Sequence, residues 1–260
     1  MGGPITAIRR PEITPIAIAA GTVSGFDFIN KFGRNPDVDT GSDPETIWDS
    51  GGVYTWIPTA TVLKISSDDV DDDTGGAGAL TVEIFGLDAN YLLQNETITL
   101  DGQTAVNTSG TYIRIHRMIV RSAGANGTAT GNIYAGTGNL TSGVPANIFA
   151  KITIGVNQTL MALYTIPADK AGFFVGWYAT INKSTTSSVA DLQVMERPDG
   201  EVFQVKAHHA VVNVGSSHFF HKDVVTMKLT AKTDIKIECI TVSANDLDIS
   251  AGFNLMLVDI

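Results

Sequence analysis

Alternation of apolar and polar side chains is the dominant pattern in this 260-residue chain. Between residues 80 and 84, Leu, Val and Ile alternate with Thr and Glu, and the same period recurs in residues 97–100 and 234–239. A period of two predicts β-strands that have one buried and one solvated face. We find no segment with a convincing helical period.

From Val53 onwards such segments follow one another, with turn-forming residues about every 8–12 positions. A Gly- and Asn-rich stretch, residues 123–143, separates a first group of strands from a second. We therefore predict an all-β protein made of antiparallel β-sandwich or jelly-roll domains. The first β-sandwich is expected at residues 51–145 and a second, jelly-roll-like sandwich at residues 146–260.

The two C-terminal strands give a specific prediction about the core. Alternate side chains of a strand point to the same face, so apolar residues two apart are buried together. We predict that five residues face the core: Ile235, Ile237, Phe253, Leu255 and Leu257. The single cysteine, Cys239, continues this spacing and is expected to be a small core residue.

Residues 1–50 break the pattern of strands. They contain five of the nine prolines in the chain, mixed with spaced isoleucines, and such a segment has too little local burial to order itself. We predict an extended N-terminal arm that docks on its own body or on a neighbouring subunit, and β-edge addition is the ordinary form of such docking. The expected interface residues in the arm are Ile5, Ile8, Ile13, Ile16 and Ile18.

An aromatic segment follows the arm. Trp48, Tyr54 and Trp56 could form a platform for a sugar ring, but aromatic residues more commonly pack at domain or subunit contacts. We favour the contact, and add these three residues to the predicted interface.

Composition favours a protein that works in an assembly. Hydrophobic residues make up 43% of the chain and charged residues 17%, whereas about 25% is usual for charged residues. The formal net charge is −10 and the longest basic run is Arg9-Arg10, so nucleic acid is not an expected partner. A membrane partner is not expected either, because no stretch approaches the roughly 20 apolar residues of a span.

An acidic loop holds five aspartates within residues 68–73. Its oxygens could bind Ca²⁺, for which the weak candidates are Asp69, Asp71 and Asp73. The spacing departs from a helix–loop–helix calcium site, because counting from Asp69 the sixth position is Thr74 and the twelfth is Leu80. A solvated hairpin loop explains the same residues. We favour the solvated loop, and predict no metal and no cofactor.

Four of the five histidines lie close together in the sequence: His208, His209, His218 and His221. Imidazoles could bind zinc or nickel, but adjacent strand residues such as His208 and His209 point to opposite faces. Ser24 lacks the spacing of a hydrolase elbow, and phosphate loops and dinucleotide motifs are absent. Carboxylate pairs for sugar cleavage stay open, because such pairs meet only in space. We predict that the protein is not an enzyme.

The sequence also resembles a group of virion structural proteins from tailed phages, especially marine and cyanobacterial ones. The likeness covers roughly residues 50–260 and lies in the amino-acid sequences of several segments and in their order along the chain. These are residues 79–91 (ALTVEIFGLDANY), 95–106 (NETITLDGQTAV), 111–120 (TYIRIHRMIV), 232–240 (KTDIKIECI) and 250–260 (SAGFNLMLVDI). The resemblance contains no catalytic motif and implies a component of the particle.

With this resemblance, the first expectation is a decoration or cement protein on the capsid exterior of a tailed phage. It would be made in the bacterial cytoplasm, form a homo-oligomer, expected to be a trimer, and hold neighbouring copies of the major capsid protein together. The alternatives are a tail, neck or adhesion component, and a carbohydrate-binding module or lyase on the particle surface. Copy number separates the first two, and glycan binding tests the third.

Overall fold

A computed structural model of the chain describes residues 14–41, 44–183, 187–213 and 219–260. In these residues the fold consists of antiparallel β-sheets and one short helix, which confirms the all-β prediction. In chain order the elements are α1 (Thr14–Ala19), β1 (Phe26–Val38), β2 (Glu45–Thr46), β3 (Thr61–Ser67), β4 (Ala79–Leu87), β5 (Leu93–Thr99), β6 (Val106–Tyr112), β7 (Arg114–Ala123), β8 (Ile133–Thr141), β9 (Val144–Ile152), β10 (Leu163–Thr165), β11 (Lys170–Lys183), β12 (Ser188–Arg197), β13 (Gln204–Asn213), β14 (Phe219–Leu229), β15 (Asp234–Val242) and β16 (Leu247–Asp259).

The first unit is a sandwich of strands β3 to β9. One sheet has the order β6-β3-β8-β9 and the other the order β5-β4-β7. Alternate residues of both sheets fill a single core, as the sequence pattern predicts for Val82 and Ile84, which are buried beside Leu63 and Ile65. Burial of this apolar area at about 25 cal/mol per Å² drives the two sheets together.

The second unit contains the remaining strands. Its two sheets have the orders β1-β16-β11-β14 and β10-β15-β12-β13, and β2 adds to β15. Both sheets contribute to one core around Trp177 and Phe174. The five predicted residues of β15 and β16 are 0 to 1% exposed, which confirms that prediction. Cys239 is buried in the same core, and burial raises the pKa of its thiol to about 12.

The segment predicted to be an arm lies, in its described part, within the second unit. Strand β1 pairs with β16 from Phe26, opposite Val258, to Val38, opposite Leu247. Pro36 is compatible with a strand here because β1 is an edge strand whose register shifts between Asn35 and Val38. Of the arm expected over residues 1–50, residues 26–38 therefore form an edge strand on the body of the same chain, which is one of the two kinds of docking considered for it. Ile5, Ile8 and Ile13 lie outside the described residues.

The boundary expected at residue 145 falls inside a β-hairpin. Strands β8 and β9 pair with each other and, through β3, belong to the first unit. The Gly-rich stretch that suggested a domain junction covers the segment before β8, strand β8 itself and the turn of this hairpin, where Gly143 has a positive φ angle of 80°. The chain returns to the second unit only at residues 161–166, where Met161 packs in the first core and Ala162 in the second.

The first unit is thus an insertion between the first strands of the second unit. The outgoing and returning chains run side by side, with Trp48 bridged to Met161 and the Ala162 amide donating to the Ile47 carbonyl. Strand β1 packs directly over them. A Cβ atom at Gly33 would lie 2.3 Å from both Ala162 N and Ile47 O, so only glycine fits there.

Candidate functional site

Asp234 is the charged centre of the junction between the two units. Its carboxylate accepts hydrogen bonds from Arg114 Nε at 2.8 Å and Nη2 at 3.0 Å, from Arg197 Nη2 at 2.5 Å and from Thr165 Oγ1 at 2.6 Å. Arg114 begins β7 of the first unit, whereas Asp234 begins β15 of the second. Because Asp234 is only 2% exposed, this ion pair is screened from water and ties the units together.

Aromatic rings surround the two guanidinium groups. Arg114 lies 5.0 Å from the Trp56 ring centroid, and Arg197 lies 4.5 Å from that of Phe203. Cation–π contacts of this kind add to the ion pair when they are shielded from water. Trp56, predicted for a domain or subunit contact, lies at a contact between the two units of the chain.

The other two predicted aromatic residues are inside the fold. Trp48 and Tyr54 are buried, with ring centroids 4.9 Å apart in an edge-to-face arrangement, and Tyr54 Oη donates to the Phe149 carbonyl. Their placement corrects the interface prediction, because neither ring can reach a partner or a sugar from the core. In helix α1, Ile16 is exposed and Ile18 is buried.

A cleft opens between the units on the other side of the junction, and we call it the β1–β7 cleft. It has a volume of about 840 Å³. Its walls are largely apolar: Phe26, Phe28, Ile29, Phe32, Phe85, Leu93 and Ile119. Such a combination of an apolar wall with a few polar groups is typical of binding sites.

Two buried polar side chains form part of this cleft, Lys31 of β1 and His116 of β7. Lys31 Nζ donates to the His116 carbonyl, and desolvation, with a smaller effect from the Arg117 charge, lowers the pKa of Lys31 to about 7. The His116 ring stacks on Tyr164 with centroids 4.0 Å apart, and its Nε2 is buried without a hydrogen-bond partner. Burial also lowers the pKa of His116 well below its usual value, so the ring is neutral.

Sequence inspection did not find this junction. In the sequence, its four main residues look like ordinary polar positions in strands: Lys31, Arg114, His116 and Asp234. They differ from other polar residues because residues far away in the chain bury them. The available signal was weak: Arg114 and His116 interrupt an apolar stretch, residues 112–120, at positions where a two-sided buried strand carries apolar residues.

The acidic loop is held together by two of its own aspartates. Asp72 is fully buried and accepts from Ser67 Oγ at 2.6 Å and from the amides of Ala79, Thr130 and Gly131 at 2.7 to 2.9 Å. Asp68 accepts from the Asn132 amide and side chain and from Tyr134 Oη. Two carboxylates are therefore internal braces of the loop.

The candidate calcium ligands Asp69, Asp71 and Asp73 are not brought together as a group of three. Within the described ranges the group with that geometry is Asp37, Asp39 and Asp246, which are all exposed. Repulsion from Asp39 raises the pKa of Asp37. Of the histidines, His208 and His209 are neighbours on β13, and His209 lies near Trp177 with centroids 5.5 Å apart. His218 lies outside the described residues, and of His221 only the backbone, in β14, is described.

Calcium is expected to leave the melting temperature nearly unchanged. The carboxylates of Asp72 and Asp68 already accept protein hydrogen bonds, so the loop offers no assembled oxygen cage. A real site at 100 times its Kd would add about 2.7 kcal/mol. The measurement is thermal unfolding with and without millimolar Ca²⁺, with Asp69→Asn/Asp71→Asn as the matched variant. A shift seen in the parent and lost in that variant would contradict the prediction.

The buried Lys31 is expected to make the protein more stable as the pH rises from about 7 towards 10. The pKa of Lys31 is lower in the folded chain than in the unfolded one, so the unfolded state binds more protons in that range and unfolding becomes less favourable as the pH increases. Lys31→Met should stabilise the fold at pH 7 by on the order of 2 kcal/mol. Urea unfolding at about pH 7, 8.5 and 10, which spans the titration of Lys31, checks this.

The difference in the free energy of unfolding between Lys31→Met and the parent should become smaller at the highest pH, where Lys31 is neutral in the folded protein. The solvent-exposed Lys228 provides the control. Lys228→Met also removes one positive charge, but that charge is in contact with water in the folded protein. Equal effects of the two substitutions at each pH would show that Lys31 is not the cause.

Comparison with known proteins does not identify a family for the chain. No protein family and no curated protein sequence matches the chain. Among solved structures, one of the Gx strain of infectious bursal disease virus is 9% identical, with a TM-score of 0.25, covering 90% of this chain and 72% of that chain. A VP2 subviral particle of the same virus is 10% identical, with a TM-score of 0.24, covering 89% and 71%. Similarity of this size establishes no relationship.

The described residues contain no helix with the length and apolar character needed to cross a membrane.

Proposed function

We propose that the protein is a structural component of a virus particle and, more specifically, a decoration or cement protein on the capsid exterior of a tailed phage. The observation that carries the proposal is the strand order of the second unit. Counted in chain order without β2, its eight strands form sheets with the orders 1-8-3-6 and 2-7-4-5. That is the order of a jelly roll, an architecture used by viral capsid proteins and also by lectins and cupins.

Three further features support a structural role. The sequence resembles virion proteins of tailed phages over roughly residues 50–260. The low charged fraction, 17%, favours surfaces that are buried in an assembly. At the junction, Arg114 and Arg197 are both hydrogen-bonded to Asp234, an arrangement that joins the two units. Fold alone does not imply function, so the proposal needs a test on particles.

In the proposed arrangement the protein forms a trimer and binds the major capsid protein. The jelly roll contacts the shell, and the inserted first unit projects from it. Apolar area buried at each contact, about 25 cal/mol per Å², would then resist internal pressure over many copies.

The deciding experiment is reconstruction of the purified phage particle together with measurement of copy number. A decoration protein should be on the capsid exterior with a copy number of the same order as the major capsid protein. A few copies at the tail or neck would overturn the specific assignment in favour of an appendage component. Absence from the particle, combined with glycan binding, would overturn the structural role in favour of a carbohydrate-binding protein.

Deleting residues 1–13 is expected to leave the protein folded and to reduce its incorporation into particles. The first described strand begins at residue 26, so this deletion leaves all of the described strand pairing in place. Deletion through residue 38 should instead unfold the second unit, because it removes β1, which pairs with β16 over most of its length. Circular dichroism and particle pull-down measure the two effects. Normal incorporation of the shorter deletion would show that this segment is not needed for docking.

A further inference from the structure

We propose that the β1–β7 cleft of one copy binds the acidic loop, residues 68–73, of a second copy of the chain. The inference rests on the proposed function in one respect, that a virion component is present as many identical copies. It assigns an occupant to the apolar β1–β7 cleft and a role to the exposed part of the acidic loop.

Several large apolar side chains in the cleft are exposed to solvent. Phe28 is 45% exposed, Leu93 54% and Phe26 36%, and all three line the same cleft. Contiguous exposed aromatic surface with a polar rim marks an interaction site. An occupant with an apolar side chain would remove these rings from water.

The cleft is also a site for negative charge. Arg117 and Arg121 line it, whereas the single acidic residue in its lining, Asp27, is paired with Lys170 at 3.0 Å. Arg121 is held by Glu83 at 2.5 Å, close to the cleft wall. Cationic groups over apolar walls select a partner that carries carboxylates beside an apolar side chain.

The acidic loop has the complementary chemistry. Val70 at its tip is 65% exposed and stands between Asp69 and Asp71, which are themselves more accessible than the fully buried Asp72. An exposed valine flanked by carboxylates matches an apolar cleft with a cationic rim. Because Asp72 and Asp68 brace the loop from inside, little conformational entropy is lost when it docks.

The loop of a chain does not occupy the cleft of that same chain. Val70 is 65% exposed and is not among the residues that line the cleft, and the hydrogen bonds of Asp68 and Asp72 hold the loop in that place. The contact must therefore form between copies, head to tail. Such a heterologous contact closes into a ring when the rotation allows, and a trimer is one closed form.

Disulfide trapping between mixed copies tests the contact directly. Full-length Val70→Cys protein is mixed with full-length Phe28→Cys protein under mild oxidation, and we expect a mixed disulfide dimer. Val202→Cys is the matched control, since Val202 is equally a single exposed valine, on a different surface. Trapping of Phe28→Cys with Val202→Cys as readily as with Val70→Cys, or no mixed dimer at all, would overturn the proposal.

A charge exchange tests the electrostatic part. Asp71→Arg and Arg121→Asp should each raise the Kd of self-association, measured by sedimentation, by about tenfold or more. The variant that carries both substitutions should regain most of the lost affinity. If deletion of residues 1–13 abolishes association while Asp71→Arg leaves it unchanged, the cleft takes the N-terminal segment and the proposal is wrong. Both tests use purified protein, so their failure is distinguishable from absence of the chain from particles.

Discussion

Replacing Asp234 by alanine is expected to lower the free energy of unfolding by about 3–5 kcal/mol, the usual result of removing one partner of a buried ion pair. Arg114 would remain desolvated at the junction without its carboxylate, Arg197 would lose two hydrogen bonds and Thr165 would lose one. Because Arg114 belongs to the first unit and Asp234 to the second, the same change should also weaken the coupling between the units. Urea unfolding and calorimetry measure both effects.

Asp199→Ala is the matched control for Asp234→Ala. Asp199 lines a polar pocket at the junction together with Arg197 and Asp234, but its side chain is largely exposed and its contact with Lys232 is long, at 3.9 Å. Exposed pairs of this kind contribute about 0–1 kcal/mol. We therefore expect the control to unfold like the parent. Equal losses from both substitutions would show that the buried pair does not hold the junction.

Replacing Phe253 by alanine is expected to cost about 3–5 kcal/mol. Phe253 has no exposed surface, and its ring stacks on Phe174 with centroids 5.8 Å apart in the core of the second unit. The truncation removes apolar contacts and leaves a cavity between two sheets that cannot close on it without bending β16. Denaturant unfolding by tryptophan fluorescence reports the change, since Trp177 lies in the same core.

Phe28→Ala provides the comparison for the core prediction. Phe28 is on the neighbouring strand β1 and is about half exposed, so its truncation should cost less than about 1 kcal/mol. A loss below about 1 kcal/mol for Phe253→Ala as well would place that ring on the outer face of β16, contrary to the structure.

Strand faces could be predicted from the sequence only where the strands are regular. In β15 and β16 the alternation gives the correct core residues, because each side chain's face depends only on its position along an unbroken strand. In β11 the register shifts between Phe174 and Gly176, and as a result Phe174 and Trp177, an odd number of residues apart, both enter the core. Leu80 illustrates the same effect in β4, where a shift after Ala79 buries that alanine and leaves Leu80 partly exposed.

The acidic loop shows what composition can and cannot predict. Five aspartates in six residues indicate an exposed, charged turn, and Asp71 fits that description. Asp72 does not, because three backbone amides and Ser67 converge on its carboxylate. Those donors come from β3, β4 and the segment before β8, which meet only when the first unit is folded.

The sequence by itself determined the all-β class, the positions of most strands and the core residues of β15 and β16. All of these follow from local alternation, which requires only that one face of a strand meets apolar partners. The tertiary structure alone decided that residues 26–38 pair with the last strand, that the first unit is an insertion, and that Lys31, His116 and Asp234 are buried where the units meet. Strand pairing over more than 200 residues is set by the complementarity of whole faces, and no local pattern carries that information.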